Sequence, residues 1–137
     1  AISMIGCIKN NDVFVYRASL GGLELILMGK PDFFCGNIPG EVKSIILFHN
    51  RNFRVHKERE QYQILSGIIQ AGVYGYILNS PKTYLVISYY RADARNNYYI
   101  ERIRQFLLDV NREEIRKIIN GALKIILSRY VNAAAGI

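Results

Sequence analysis

The sequence predicts an α+β domain: a five-stranded antiparallel sheet with one helix on one face and two on the other, in the order ββαβββαα. Three observations predict it. Runs rich in Val, Ile, Tyr and Phe open the chain and return between residues 62 and 90, divided by turn-forming Asn, Gly, Ser and Pro. One stretch with helical spacing separates the two groups. The C-terminal part repeats apolar residues every third or fourth position, as an amphipathic helix does.

Met4 to Lys9 and Val13 to Arg17 read as an opening hairpin about Asn10-Asn11-Asp12, residues that tolerate a tight turn. Leu23 to Met28 extends the second strand or forms an edge strand, and Gly29 to Gly40 reads as a loop. From Glu41 to about Glu58, Val42, Ile45, Ile46, His49 and Phe53 follow helical spacing. Tyr62 to Ile69, Val73 to Leu78 and Thr83 to Tyr90 read as a meander, with turns at Gln70-Ala71-Gly72 and Asn79-Ser80-Pro81-Lys82. Ile100, Ile103, Leu107 and Val110 share one face of a second helix. Asn111 with Glu114 has the form of a capping box for a third, whose stripe runs from Ile115 to Tyr130 before a frayed tail from Val131.

A chain of 137 residues fits one domain, residues 1–137. The formal charge of +7 favours acidic partners, whether nucleic acid, anionic membrane or an acidic protein face. Cys7 and Cys35 make neither a disulfide framework nor a zinc set, so reduced thiols and a cytosolic setting are expected. No apolar run is long enough to span a bilayer, and no signal peptide is read; Ala1-Ile2-Ser3 before Met4 has the look of a remnant.

No catalytic, cofactor or metal constellation emerges. His49 and His56 lie two turns apart on the predicted helix, too far for one ion, and His49 reads as a core residue. Gly21-Gly22 and Gly36 to Gly40 lack the lysine-serine ending of a phosphate loop. Neither cysteine has a base beside it, and no serine sits in a nucleophile elbow. Arg91 and Arg95 among Tyr89, Tyr90, Tyr98 and Tyr99 could stack and neutralise RNA, although no recognised RNA-binding motif is present.

Four stretches carry a family resemblance: residues 4–16, Lys43 to His49, Val73 to Ile87, and Ile100 to Phe106. Their order resembles the longin-type domain, and more closely the sedlin-like small subunits of the TRAPP vesicle-tethering complex. The family's acidic residues after the first-helix histidine are replaced by Asn50, Arg51, Asn52, Phe53 and Arg54; Gly29 to Gly40 resembles an insertion; the turn before the last helix also differs. The resemblance implies a non-enzymatic, cofactor-free adaptor in transport between endoplasmic reticulum and Golgi. Its partners would be other tethering subunits, indirectly a Rab-type GTPase, with peripheral contact to anionic membrane and no nucleic acid. Phe48, His49, Phe53 and Arg54 would face those partners. The rival expectation is a basic RNA-binding domain centred on Arg91 and Arg95.

Overall fold

The computed structural model describes residues 6–47 and 53–135. Its elements are β1 (Cys7–Lys9), β2 (Phe14–Leu20), β3 (Leu23–Gly29), β4 (Phe33–Cys35), β5 (Ile38–Leu47), α1 (Phe53–Ile77), β6 (Lys82–Ala92), β7 (Tyr98–Asp109) and α2 (Arg112–Ala135). The class is α+β, with a five-stranded sheet ordered β1-β4-β5-β6-β7 and a separate β2-β3 hairpin.

Most of the predicted arrangement inside that class is corrected. The sheet is mixed: β5 and β6 run parallel, joined across α1, while the other neighbours are antiparallel. Residues 33–35 and 38–40, expected as loop, are strand, and residues 41–47 are strand where a helix was expected. Their alternation puts Glu41, Lys43, Ile45 and Leu47 on the α1 side and Val42, Ser44 and Ile46 on the other, a period of two that the apolar count alone hides. Tyr62 to Leu78, expected as two strands, belongs almost wholly to α1. The glycine that suggested a turn there, Gly72, is a close-packing site where a Cβ would meet Ile115, and a Cβ on Gly67 would likewise meet Leu85. Residues 100–109, expected as helix, form β7 against β6.

The first hairpin also differs. β1 pairs with β4 and β2 with β3, so Met4–Lys9 and Val13–Arg17 are not partners over the described residues. Cys7 and Cys35 stand directly opposite one another, their Cα atoms 4.0 Å apart, and form a disulfide in place of the expected free thiols. Two readings hold. The capping of the last helix is as expected, with the Glu114 N–H donating to Asn111 Oδ1 at 3.2 Å. Asn79 takes the left-handed conformation (φ 55°) just past α1, where Ser80 N–H closes on Gly75 O at 2.8 Å and Pro81 stops the helix.

α1 covers one face of the sheet through Ile45, Leu85, Ile87 and Tyr89, with Leu47, Ile64, Phe106 and Leu108 around them. On its far side, Tyr76 packs with Ile115, Ile119 and Leu123 of α2 and with Tyr16, Leu25 and Leu27 of the hairpin. Both helices therefore lie on the same side of the sheet, not one against two. Ile46, Ile103 and Leu107 on the opposite face are 43%, 38% and 50% exposed. Among the described residues, no helix is long and apolar enough to cross a membrane.

The tightest glycine of α1 is Gly75, where an added Cβ would lie 2.4 Å from Val110 Cγ2 and 2.7 Å from Thr83 Cγ2. Gly75→Ala is expected to cost about 1–2 kcal/mol, crowding outweighing helix propensity. Gly121→Ala, in open space on α2, should gain about 0.5–1 kcal/mol. Urea denaturation of both variants checks the opposite signs.

Candidate active site

Three residues from two short segments meet where β5 begins. Asp32 follows Pro31 in the turn between β3 and β4; Glu41 and Lys43 follow on β5. Two residues apart on a strand, the glutamate and the lysine share a face, and it is the face under α1. Lys43 Nζ lies 3.5 Å from Glu41 Oε1, both side chains largely buried.

Main-chain bonds fix the second carboxylate to the same strand. The Asp32 N–H donates to Gly40 O at 2.9 Å, and the Val42 N–H donates to Asp32 Oδ2 at 2.7 Å. The two carboxyl groups hydrogen-bond one another. From above, α1 supplies the lid. Tyr74 hydrogen-bonds Glu41, and its own ionisation is pushed strongly upward by burial and by the acids below it. Its ring lies against Gly29, and the Lys43 stem passes over Gly67. Gln70 falls between Gly67 and Tyr74 on the same helical stripe, its Oε1 buried and without a protein partner.

Burial, then the charge and hydrogen bond of Asp32, raise the Glu41 carboxyl from an ordinary 4.5 to about 7; Lys43 pulls it back only partly. Two carboxyls in contact cannot both ionise cheaply, so a proton or a cation must lie between them. A divalent ion fits that demand. Hard carboxylate oxygens suit Mg²⁺ or Mn²⁺, and Mg²⁺ commonly takes one or two carboxylates, filling its shell with water and phosphate. Among the described residues no three His, Cys, Asp or Glu side chains gather around one point, so Asp32 and Glu41 would be the side-chain ligands. A purely structural ion pair would need one acid against Lys43; the second acid works against stability, which favours a functional reading.

The residues expected to face partners are not in this cluster. Phe48 and His49 lie outside the described residues; Phe53 and Arg54 are the first residues of α1. Arg91 is paired with Glu101 at 3.1 Å. Arg95 lies in the β6–β7 turn beside exposed Tyr98 and Tyr99, whereas Tyr89 is fully buried, its hydroxyl donating to Glu60 at 2.8 Å. The sequence reading missed Asp32 by placing it in a loop, and Glu41 and Lys43 by placing them on a helix, where residues two apart point to different sides. The available signal was Pro31-Asp32 followed by Glu41-x-Lys43 in a β-branched run.

Because folding raises the proton affinity of Glu41, this group's contribution is fully present below pH 4.5 and is lost as pH climbs through about 7. Without metal, the native protein should lose on the order of 2 kcal/mol between pH 5 and 8 that Glu41→Gln retains, read from thermal unfolding in chelator. Mn²⁺ should bind more tightly as pH rises through 7, since the ion displaces the proton.

No protein-family model matches the chain, and no curated protein matches its sequence. Among solved structures, the crystal structure of SSO0001 is similar, with 12% identity and a TM-score of 0.49 over 87% of this chain and 50% of that one. The chain thus spans about half the length of that structure.

Proposed function

We propose that this chain carries a divalent-metal-dependent phosphodiesterase centre acting on nucleic acid. The observation that carries the reading is the junction of Asp32, Glu41 and Lys43: two carboxyls in hydrogen-bond contact with an ammonium 3.5 Å from one of them. A bound ion would supply Lewis-acid polarisation of a phosphoryl oxygen and ready ionisation of a coordinated water. Asp32 and Glu41 would hold it; Val42 N–H and Tyr74 keep their carboxyls in place. The Lys43 ammonium, stiffened by its stem over Gly67, is placed to stabilise negative charge developing on phosphate. Gln70, with a free buried acceptor, can orient a water or a phosphate-bound proton.

Substrate class follows from charge. Of the three site residues only Asp32 borders the neighbouring cavity of about 210 Å³, which is lined otherwise by Cys7, Ile8, Lys9, Phe33 and Val42. The net charge of +7 supports a polyanionic substrate. Exposed Tyr98 and Tyr99 near Arg95 offer base-stacking surface on the same molecule. This reading replaces the expectation that nucleic acid is not a partner. The vesicle-tethering adaptor is the competing proposal. It rests on a meander and first helix that this fold does not contain, and on Phe48 and His49, which lie outside the described residues.

Labelled single- and double-stranded DNA and RNA, incubated with Mg²⁺ or Mn²⁺, give the test. Cleavage that stops in chelator and falls at least about 100-fold in Asp32→Ala, Glu41→Gln and Lys43→Ala, with binding largely kept, is the expected result. Salt-dependent binding without cleavage would leave a nucleic-acid-binding domain and remove the enzyme reading. Neither binding nor cleavage would return weight to the adaptor.

A further inference from the structure

Asp32 sits in a turn, not in a strand, so something must hold it as firmly as β5 holds Glu41. The N–H of Asp32 is taken by Gly40. The two carbonyls around it, of Pro31 and of Asp32 itself, both go to a single residue. Asn10 Nδ2 donates to Pro31 O at 2.8 Å, and the Asn10 N–H donates to Asp32 O at 3.0 Å. The same amide locks its own turn, with Nδ2 donating to Asp12 O at 2.8 Å and Oδ1 accepting from the Asp12 N–H at 3.0 Å. Asn10 is 7% exposed, and Pro31 is among the fully buried side chains. Its amide is therefore spent entirely on main-chain atoms next to the acidic centre.

The strand that delivers Asn10 is β1, only three residues long. Three residues of edge strand hold little by themselves. Here the far end of β1 is tied to β4 by the Cys7–Cys35 disulfide, and the near end by Asn10. The Pro31–Asp32 turn is thus clamped between a covalent link on one side and β5 on the other.

We infer that Asn10 is the positioning residue of the acidic centre: by holding the Pro31 and Asp32 carbonyls it sets the Asp32 carboxylate against Glu41. The inference rests on reading Asp32 and Glu41 as the ligands of a divalent ion. Removing the side-chain amide leaves the buried Pro31 carbonyl without its donor and loosens the turn on the Pro31 side, while the main-chain bond from Asn10 N–H to Asp32 O remains. Groups that orient ligands in this indirect way are commonly worth 10–100-fold in metal affinity.

The experiment is a calorimetric Mn²⁺ titration of the wild-type chain, Asn10→Ala and Asn10→Ser, with Ile119→Val as a destabilised control in the distant α2 core. Serine keeps an acceptor for the Asp12 N–H but cannot reach Pro31, so it separates turn-locking from clamping. Expected is a weakening of Mn²⁺ binding of about tenfold or more in both Asn10 variants. Ile119→Val should bind as wild type does. Wild-type affinity in folded Asn10→Ala or Asn10→Ser overturns the inference. So does equal weakening in Ile119→Val, or failure of both Asn10 variants to fold, which would mark the residue as structural. A wild-type chain that binds no Mn²⁺ removes the metal centre itself, a result distinct from any of these.

Discussion

Parallel neighbours cannot be joined by a tight turn, and the pairing of β5 with β6 is the constraint from which the rest of this structure follows. The chain must cross the sheet between Leu47 and Lys82, and α1, 25 residues long, spans much of that crossing. A helix laid over its own two strands buries their shared face, which is why Ile45, Leu85, Ile87 and Tyr89 form one core. The same placement brings Tyr74 onto Glu41 and Gly67 beneath the Lys43 stem. Core and candidate chemistry are therefore two ends of one packed interface.

That interface carries more polarity than packing alone requires. Along the stripe of α1 that faces the sheet, Glu60 meets Tyr89 and Arg104, and Tyr74 meets the acidic pair. The first group is balanced: Arg104 and the Tyr89 hydroxyl both answer the Glu60 carboxylate, and Arg102 lies 4.2 Å over the Tyr89 ring. At the acidic pair the balance fails: burial, and after it the second carboxyl, raise the Glu41 carboxyl to about 7 against the pull of a single ammonium. Local imbalance in an otherwise satisfied interior is where function is commonly found, since selection for stability alone would have removed it.

Legibility in the sequence followed the strength of local signals. The capping pair Asn111 and Glu114, the Asn79-Ser80-Pro81 stop and the β6 run all depend on near neighbours, and each was readable. α1 was not. Its glycines Gly67, Gly72 and Gly75 are set by what they touch across the core, not by helix propensity, and Ala71-Gly72 locally imitates a turn. β5 was misread for the reverse reason: a buried strand with apolar residues on both faces matches helical spacing as well as a period of two. β7 shows the same ambiguity, its Ile103 and Leu107 falling four apart though they lie on one side of a strand. The cysteines were judged by count, whereas only register shows that Cys7 and Cys35 are partners. Glu41 and Lys43 went unseen because the wrong period set them on different sides.

The acidic centre gains rigidity from how few elements it uses. Gly40 O and Val42 N–H, the main-chain groups on either side of Glu41, both bond Asp32, so the two carboxyls ride on one strand segment. A motion of β5 carries them together and leaves their separation unchanged. The proposed metal-assisted hydrolysis would demand such constancy, because a displacement of an ångström at the ligands can cost about two orders of magnitude in rate. Had Asp32 come from the β2-β3 hairpin instead, which belongs to a separate sheet, every flexing between hairpin and sheet would have opened the pair. Tying the turn residue to the strand by main-chain bonds lets a loop aspartate behave as though it were part of the sheet.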